Sequence, residues 1–483
     1  MTSAPTRQAR PRPGGRRRKS SDHTVFGVPE RFMRPRLVLI AAAAILVGFG
    51  LLMIYSASSV TALSDPDVAD AAFYLKRQLI FIAAGLVAAV VLARTDYRLW
   101  ARQLLLPIWV ITVLLLLAVV VLGTDNDMGA TRWINLGFFQ LQPSEFAKIT
   151  VIFTAANIAE RYYEQGSIDW GTFVKLLIAG VGVPLALIII QPDKGSTMII
   201  ALTLLVMGYL AGFPKRLLLV LLVAGVVAFL ALSLKDDYSR QRLLTMLDPW
   251  ADPFDTGYQL VQGFYAFGSG GLFGVGLGFS RQKYSYLPMA HNDFIFAIIG
   301  EECGLVGTLG VLAGFAIFMW AGLQIARYAP DLCGRLVAAG CTSLVMVQLL
   351  LNVCGVLGLF PLSGKPIPFL SYGGSSIIAS LMLVGIIASV SIHSHLPETE
   401  HDSVRRSWQL EGPSQAPREG RGFTVIEGGA RGESRASQGA SRGSGRPSRG
   451  RSGGPSSGRG RINLGPNASD RLRGGGRDPR NRR

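Results

Sequence analysis

The stretch LPMAHNDFIFAIIGEE, residues 287–302, decides how this chain is read. It leads into an apolar run over 294–320, long enough to cross a hydrocarbon core of ~30 Å. Yet Asp293 stands at the entrance of that run, and Glu301 and Glu302 lie inside it. A carboxylate at a helix entrance can serve as an N-cap, its oxygen accepting an otherwise unpaired backbone N–H. The two glutamates sit roughly 12–14 Å deeper at the helical rise, where a charge costs ~2.5–3.5 kcal/mol unless it is paired or wet. A membrane helix that bears such groups is read as functional.

Outward from this run, further apolar segments lie near 37–56, 79–94, 104–123, 145–160, 173–190, 197–212, 217–233, 335–358 and 372–392. With the first run they make about ten spans. The 483 residues are 49% hydrophobic and only 16% charged. The expected fold is therefore an all-α polytopic membrane protein, which excludes a soluble globular enzyme. Ten spans return the chain to its starting side. With the N-terminus inside, the short inner loops hold Arg94, Arg98, Arg102, Arg161, Lys215, Arg216, Arg327 and Arg335, as the positive-inside rule requires. Both termini are expected in the cytoplasm. The segment 234–293, between helices 7 and 8, is then a large outer loop, too long for a mere connector.

The formal charge of +17 belongs to the ends. Residues 1–36 carry ten Arg and Lys against two acids, and residues 411–483 carry sixteen Arg against six acids. Both ends are poor in apolar residues and rich in Gly, Ser, Pro and Arg. They are expected to be disordered cytoplasmic tails, over 1–36 and 396–483, flanking a membrane domain at 37–395. Attraction to anionic headgroups explains such basic tails, and nucleic acid is not expected as a partner. Cys303, Cys333, Cys341 and Cys354 show neither CxxC spacing nor a histidine cluster, so no disulfide framework or zinc site is expected.

The outer loops contain basic residues that the orientation rule would not put there. Arg132, Lys194, Arg240, Arg242, Arg281 and Lys283 together suggest an anionic ligand at the outer surface. Within the large loop, MLDPWADPF breaks helices at Pro249 and Pro253, and GSGGLFGVGLGFS lets backbone turn or approach closely. YQLVQGFYAF, residues 258–267, has helical apolar spacing and could lie at the interface as an amphipathic helix. Glu145 and Lys148 share a helix face, as an internal ion pair or as part of a ligand pocket. QPDKGS, residues 191–196, makes an outer turn. PFLSYGGSS, residues 368–376, opens the last span with Gly373 and Gly374. Two function classes fit an outward cavity of this kind: an enzyme acting on a lipid-linked phosphate, with cations and a base, or a transporter. The absence of a convincing internal repeat favours the enzyme.

GATRWINLGFFQLQPSEFAK, QPDKGS, DPWADPFDTGYQLVQG, GVGLGFSRQKYSYLPMAHNDFIFAIIGEECG and PFLSYGGSS resemble, in order, the signature blocks of the SEDS family of bacterial membrane glycosyltransferases. The block around Asp293 is closer to the division-type members than to the elongation type. The resemblance implies a ten-helix enzyme of the plasma membrane. It would polymerise lipid II into glycan strands at the outer face during septal wall synthesis, with a class B penicillin-binding transpeptidase and other division proteins as partners. The C-terminal tail could recruit some of the latter. Asp293 matches the family's essential aspartate and would be the general base. The same blocks nominate Arg132, Glu145, Lys148, Lys283, His291, Ser371 and Gly373 for substrate binding. No residue is assigned to a metal, although a divalent cation, Mg2+ or Mn2+, could assist the leaving pyrophosphate. Three positions depart from the family: Met289 where Glu is common, Lys194 where an apolar residue is usual, and Ser363 where Thr precedes Gly364. Lys194 is expected to snorkel to the outer edge. The rival readings are a lipid II flippase and a noncatalytic division scaffold.

Overall fold

A computed structural model describes residues 24–25, 28–64, 66, 68–122, 124–126, 130–135, 137, 140–284 and 286–394. The described chain is mainly helical: α1 (Glu30–Ser64), α2 (Phe73–Arg94), α3 (Leu105–Leu122), α4 (Pro143–Ala159), α5 (Trp170–Leu177), α6 (Val183–Ile190), α7 (Lys194–Ala211), α8 (Lys215–Lys235), α9 (Asp237–Leu247), α10 (Tyr258–Gly270), α11 (Ile295–Arg327), α12 (Leu332–Val356) and α13 (Gly374–Ile392). Every expected apolar segment overlaps a helix to within about two residues at its ends, except 173–190, which spans both α5 and α6. Eight helical stretches are long and apolar enough to cross a membrane, with α5 and α6 joined into one over Trp170–Ile190. The remaining two expected segments are the shorter α3 and α4. Residues 30–36, expected in the N-terminal tail, instead form the start of α1. The rest of the expected tails, over 1–29 and 396–483, lies outside the described residues apart from the strand pairs Thr24–Val25 and Val28–Pro29.

Side-chain contacts sort the loops onto two faces. On one, Arg98 and Arg102 reach Asp331 at 2.9 and 3.2 Å, and Arg102 also reaches Glu160 at 2.6 Å. Arg335 donates to the Leu210 carbonyl at the end of α7, and Arg36 donates to the Ser391 carbonyl near the end of α13. The loops that the orientation rule made basic thus share one side with the start of α1 and the end of α13. At the opposite face lie the starts of α4, α7 and α11. Between the faces, α4 is buried along almost its whole length by α3, α7, α12 and α13. In contrast, α8 packs mainly on α7 and α9 and leaves Leu219, Val220 and Val227 exposed, which suits a helix that meets lipid.

The opening stretch carries a structural break. Within α11, Gly304 has φ 66° and ψ −164°, so the helix is interrupted there. The freed backbone groups find partners in the glycine-rich segment. Val275 and Gly276 donate to the carbonyls of Glu301 and Glu302 at 2.9 and 3.0 Å, and Leu305 and Val306 donate to the carbonyls of Gly271 and Leu272 at 3.0 and 3.1 Å. Irregular backbone at membrane depth is tolerated only with such pairing. The contacts also define the path of α10. Gly263 meets Phe294, Phe267 packs on Phe296 and Gly300, and Gly274 reaches Glu302. Helix α10 therefore runs down alongside α11 rather than across the interface, and the segment after it returns towards Asp293.

Glu301 and Glu302 hold that returning segment. Glu301 accepts from the Ser280 hydroxyl and, at 2.9 Å, from the Arg281 backbone N–H. Glu302 accepts from Ser56 of α1 at 2.6 Å and from the Ser280 N–H at 3.4 Å, and pairs with Lys283 at 3.7 Å. Both glutamates are about 1% exposed. Their role is to brace, and the cost of burying them is offset by these charge-assisted bonds.

Candidate functional site

Asp293 lies where the returning segment enters α11. The expected cap is not formed: Phe294 holds the cap position, and no side chain bonds there. The carboxyl instead faces Gly364 and Arg242. A Cβ built on Gly364 would lie 3.6 Å from Asp293 Oδ2 and 3.4 Å from Arg242 Nη1. Gly364 has φ +62°, a conformation that disfavours other residues, so the gap between acid and guanidinium stays open. Burial raises the Asp293 carboxyl above its ordinary range, while the charges of Arg242 and Lys365 pull it back. A half-buried carboxylate with a raised affinity for protons is suited to general-base work.

A buried polar frame fixes this arrangement. Asn352 donates from one amide to the carbonyls of Asp293 and Lys365, at 2.9 and 2.8 Å. Lys365 pairs with Asp193 at 2.8 Å, both about 1–2% exposed. Asp193 also caps α7 through the Ser196 N–H and accepts from Ser144 at 3.0 Å. Burial opposes its ionisation, yet Lys365 and Arg132 hold its carboxyl well below the usual range. Arg132 donates to the Pro192 carbonyl at 2.7 Å, and Arg242 donates to the Leu362 carbonyl at 2.7 Å while stacking on Tyr238.

The nominated residues divide accordingly. Arg132 faces a small cleft of about 100 Å³ that Lys194, Arg242, Ser239 and Ser363 also line. Glu145 and Lys148 form a fully buried 2.8 Å ion pair in the first two turns of α4, and Lys148 reaches Gln348 at 2.8 Å. They brace the bundle and do not open onto the cleft. Lys283 is turned inward to Glu302 and the Gly278 carbonyl, so the outer cation read from the loop is a structural counter-charge. His291 sits against Tyr74 and Tyr372 at ring distances of 4.5 and 5.7 Å. Its burial lowers the imidazole to about 4, which leaves it neutral at physiological pH and no phosphate cation. The Ser371 hydroxyl accepts from the Ile367 N–H, and the Gly373 N–H donates to Gln78; both shape the turn before α13. Lys194 does not snorkel, since it bonds Asp236, Ser239 and the Leu232 carbonyl. Lys365 and Asn352 are contributors that the sequence reading missed, whereas Arg242 stood among its outer cations and Asp193 in its outer turn QPDKGS. Lys365 and Asp193 had one available signal: charges embedded in otherwise apolar, Pro- and Gly-bounded turns.

Beside the cleft lies a far larger apolar groove of about 1,060 Å³, lined by α5 to α8 and α12 through residues that include Phe173, Leu185, Leu202, Leu222 and Leu336. Pro192, Lys194, Met198, Phe229, Asp236 and Phe360 border both spaces. A polar, cation-bearing cleft thus adjoins an apolar groove. Among the described residues no group of three His, Cys, Asp or Glu is placed to hold a metal ion. The donors around Asp293 are cations instead of further carboxylates, which does not fit a protein-only cage for a divalent ion.

The sequence profile of the cell cycle protein family that joins FtsW, RodA and SpoVE matches residues 36–396. The chain is 40% identical over 366 residues to stage V sporulation protein E of Bacillus subtilis, covering 74% of this chain and 98% of that protein. It is 39% identical over 367 residues to the probable peptidoglycan glycosyltransferase FtsW of Trichlorobacter lovleyi, covering 75% and 94%. Among solved structures, a chain from a peptidoglycan synthase complex, solved for its coordination of polymerization and crosslinking, aligns with a TM-score of 0.60 at 27% identity, covering 74% of this chain and 98% of that one. The rod shape determining protein RodA of Thermus thermophilus aligns with a TM-score of 0.55 at 27% identity, covering 74% and 97%. The profile match runs through the helices from α1 to α13 and includes Asp293, and the chain belongs to the FtsW, RodA and SpoVE family of multi-pass membrane cell cycle proteins.

Proposed function

We propose that the chain is a peptidoglycan glycosyltransferase that polymerises lipid II into β-1,4 glycan strands at the outer face of the plasma membrane during septal wall synthesis. The observation that carries this reading is the position of Asp293, which faces Arg242 across Gly364, with Arg242 lining a cation-bearing cleft that adjoins an apolar groove. A lipid-linked pyrophosphate needs both spaces: cations for its phosphates and a channel for its chain. The names of the FtsW relatives supply the reaction class.

In the proposed step Asp293 takes the proton of the acceptor 4-hydroxyl. The acceptor oxygen bonds to the donor anomeric carbon, and the bond from that carbon to the pyrophosphate oxygen breaks. The electron pair leaves on the pyrophosphate, where Arg242 and Arg132 would meet the charge. A single in-line displacement inverts the anomeric centre, as in inverting glycosidases. Mg2+ or Mn2+ would enter only with the substrate phosphates, and no step is assigned to it.

A class B penicillin-binding transpeptidase is the proposed partner, in keeping with the likeness to a chain of a synthase complex that couples polymerization with crosslinking. Further division proteins, a septal location and a cytoplasmic placement of both termini complete the reading. The face bearing Arg98, Arg102 and Arg335 would then be the inner one. The test is polymerisation of fluorescent lipid II by the purified protein with its cognate transpeptidase, compared with Asp293→Asn. Glycan ladders from the intact protein alone are expected. Equal ladders from both would remove Asp293 as the base. Transport of lipid II in vesicles that survives Asp293→Asn, without any polymer, would favour the flippase.

A further inference from the structure

Lys194 stands at the neck where the cleft and the apolar groove meet, bordering both. Its ammonium has three donors, and the structure occupies all of them: Asp236 Oδ2 at 3.0 Å, the Ser239 hydroxyl, and the Leu232 carbonyl at 3.1 Å. All three partners belong to the end of α8 and the start of α9. Lys194 opens α7, so its side chain clasps the α8–α9 corner against α7. The corner has two further holds, the Arg242 bond to the Leu362 carbonyl and the Phe229 ring against Phe360, while only 6% of the membrane-crossing window of α8 is buried.

The clasp is cheap to open. Asp236 also caps α9, accepting from the Ser239 N–H at 3.2 Å and the Ser239 hydroxyl at 2.6 Å, and its side chain is 47% exposed. If Lys194 leaves, Asp236 keeps two hydrogen bonds and gains water, so no buried charge is stranded. An incoming phosphate carries more charge than one carboxylate and would find Lys194 together with Arg132 and Arg242 lining the cleft. The three cations line a cleft shared with the apolar Met198, Phe229 and Phe360, a mix of linings that suits a phosphate joined to a long hydrocarbon chain.

We infer that Lys194 is a substrate-positioning residue that exchanges Asp236 for the phosphate of a long-chain lipid phosphate ester, so fixing the headgroup at the neck while the chain lies in the groove. The inference rests on reading the cleft as a lipid-phosphate site. It assigns opposite consequences to the two partners. Removing Lys194 removes a phosphate contact, whereas neutralising Asp236 frees Lys194 for the phosphate.

The experiment measures binding of undecaprenyl pyrophosphate and of inorganic pyrophosphate to the full-length protein in nanodiscs, together with KM and kcat for fluorescent lipid II in the presence of the transpeptidase. Lys194→Met is expected to weaken lipid pyrophosphate binding about tenfold and to raise KM with little change in kcat, as loss of uniform binding does. Lys194→Arg is expected to restore most of the affinity, and Asp236→Asn to tighten binding severalfold. Thermal melting checks that each variant is folded. If Lys194→Met and Asp236→Asn both weaken binding to the same degree, Lys194 is only a structural clasp and the inference fails. It also fails if Lys194→Met binds as the intact protein does, or if inorganic pyrophosphate binds as tightly as the lipid form. If the intact protein binds the lipid with these opposed effects but yields no glycan, the glycosyltransferase reading falls and the assignment of Lys194 stands.

Discussion

Asp293 and Arg242 face each other across Gly364, whose missing side chain leaves the space between carboxylate and guanidinium open. The two residues lie on different elements, α9 and the turn before α11, and the 361–366 segment passes between them. Gly364→Ala tests whether that space is used. The methyl group would meet both partners at ordinary contact distances of 3.4–3.6 Å, so no severe clash is expected. The positive φ costs about 1–2 kcal/mol for a residue with a Cβ. The expected outcome is a modest fall in melting temperature with a loss of glycan synthesis of tenfold or more, read by ladder gels. A variant that melts earlier yet polymerises normally would mean that substrate does not enter between Asp293 and Arg242.

The protonation of Asp293 gives a pH signature. A general base must be ionised, so the rate should rise with pH through a midpoint above the ~3.9 of a free aspartate, because burial raises this carboxyl. The Arg242 charge acts in the opposite sense and holds the midpoint down. Arg242→Gln should therefore shift the acid limb to higher pH, in addition to lowering the rate at every pH through lost phosphate contact. The rate ratio of intact protein to variant should be larger at pH 5 than at pH 8. A constant ratio across that range would separate Arg242 from the ionisation of Asp293.

Lys365 and Asp193 should behave as a buried pair whose members depend on each other. Removing one partner leaves an uncompensated charge, at a cost of about 3–5 kcal/mol. Lys365→Met should thus destabilise the protein strongly, while the double variant with Asp193→Asn should lose less than the two singles together. The sign of the pH effect follows from the lowered carboxyl of Asp193. Its contribution is complete above the unfolded value of ~3.9 and is lost as pH falls towards the folded one. Thermal unfolding in detergent at pH 7 and pH 3.5 should show a smaller acid-induced loss in Lys365→Met than in the intact chain.

The bundle was legible because the bilayer imposes length on every span, and each apolar segment read from the sequence overlaps helical structure, 173–190 taking in both α5 and α6. Boundaries slipped where polar residues open a helix, as Lys194 does for α7 and Glu30 for α1. Asp293 was legible as a carboxylate at a helix mouth. Its partners were only partly legible: Asp193 and Lys365 stand out as charges in apolar turns, but 172 positions separate them, and nothing in either turn says that they pair. Lys283 shows the converse. An outer-loop lysine has the same sequence signal whether it faces substrate or a buried Glu302, and only the path of the glycine-rich segment, which brings Lys283 inward, distinguishes them.

That path supplies the last prediction. The segment 271–276 replaces the hydrogen bonds that α11 gives up at Gly304, and the fit depends on glycine at two facing positions. A Cβ on Gly304 would fall 2.4 Å from the Gly274 backbone nitrogen, and one on Gly274 would fall 2.2 Å from the Glu302 carbonyl oxygen. Both have positive φ, and in both cases the obstacle is backbone, which cannot rotate away. Gly304→Ala or Gly274→Ala should cost about 3 kcal/mol, open the 271–279 segment to limited proteolysis, and reduce polymerisation by displacing the Glu301 and Glu302 anchors that lead to Asp293. Gly268 is the internal control. It lies in α10 with nothing within 4 Å of an added Cβ, so Gly268→Ala should be neutral or stabilising by up to ~1 kcal/mol through helix propensity. If all three variants melt and digest alike, the pairing of the glycine segment with the broken helix is not what holds the Asp293 segment in place.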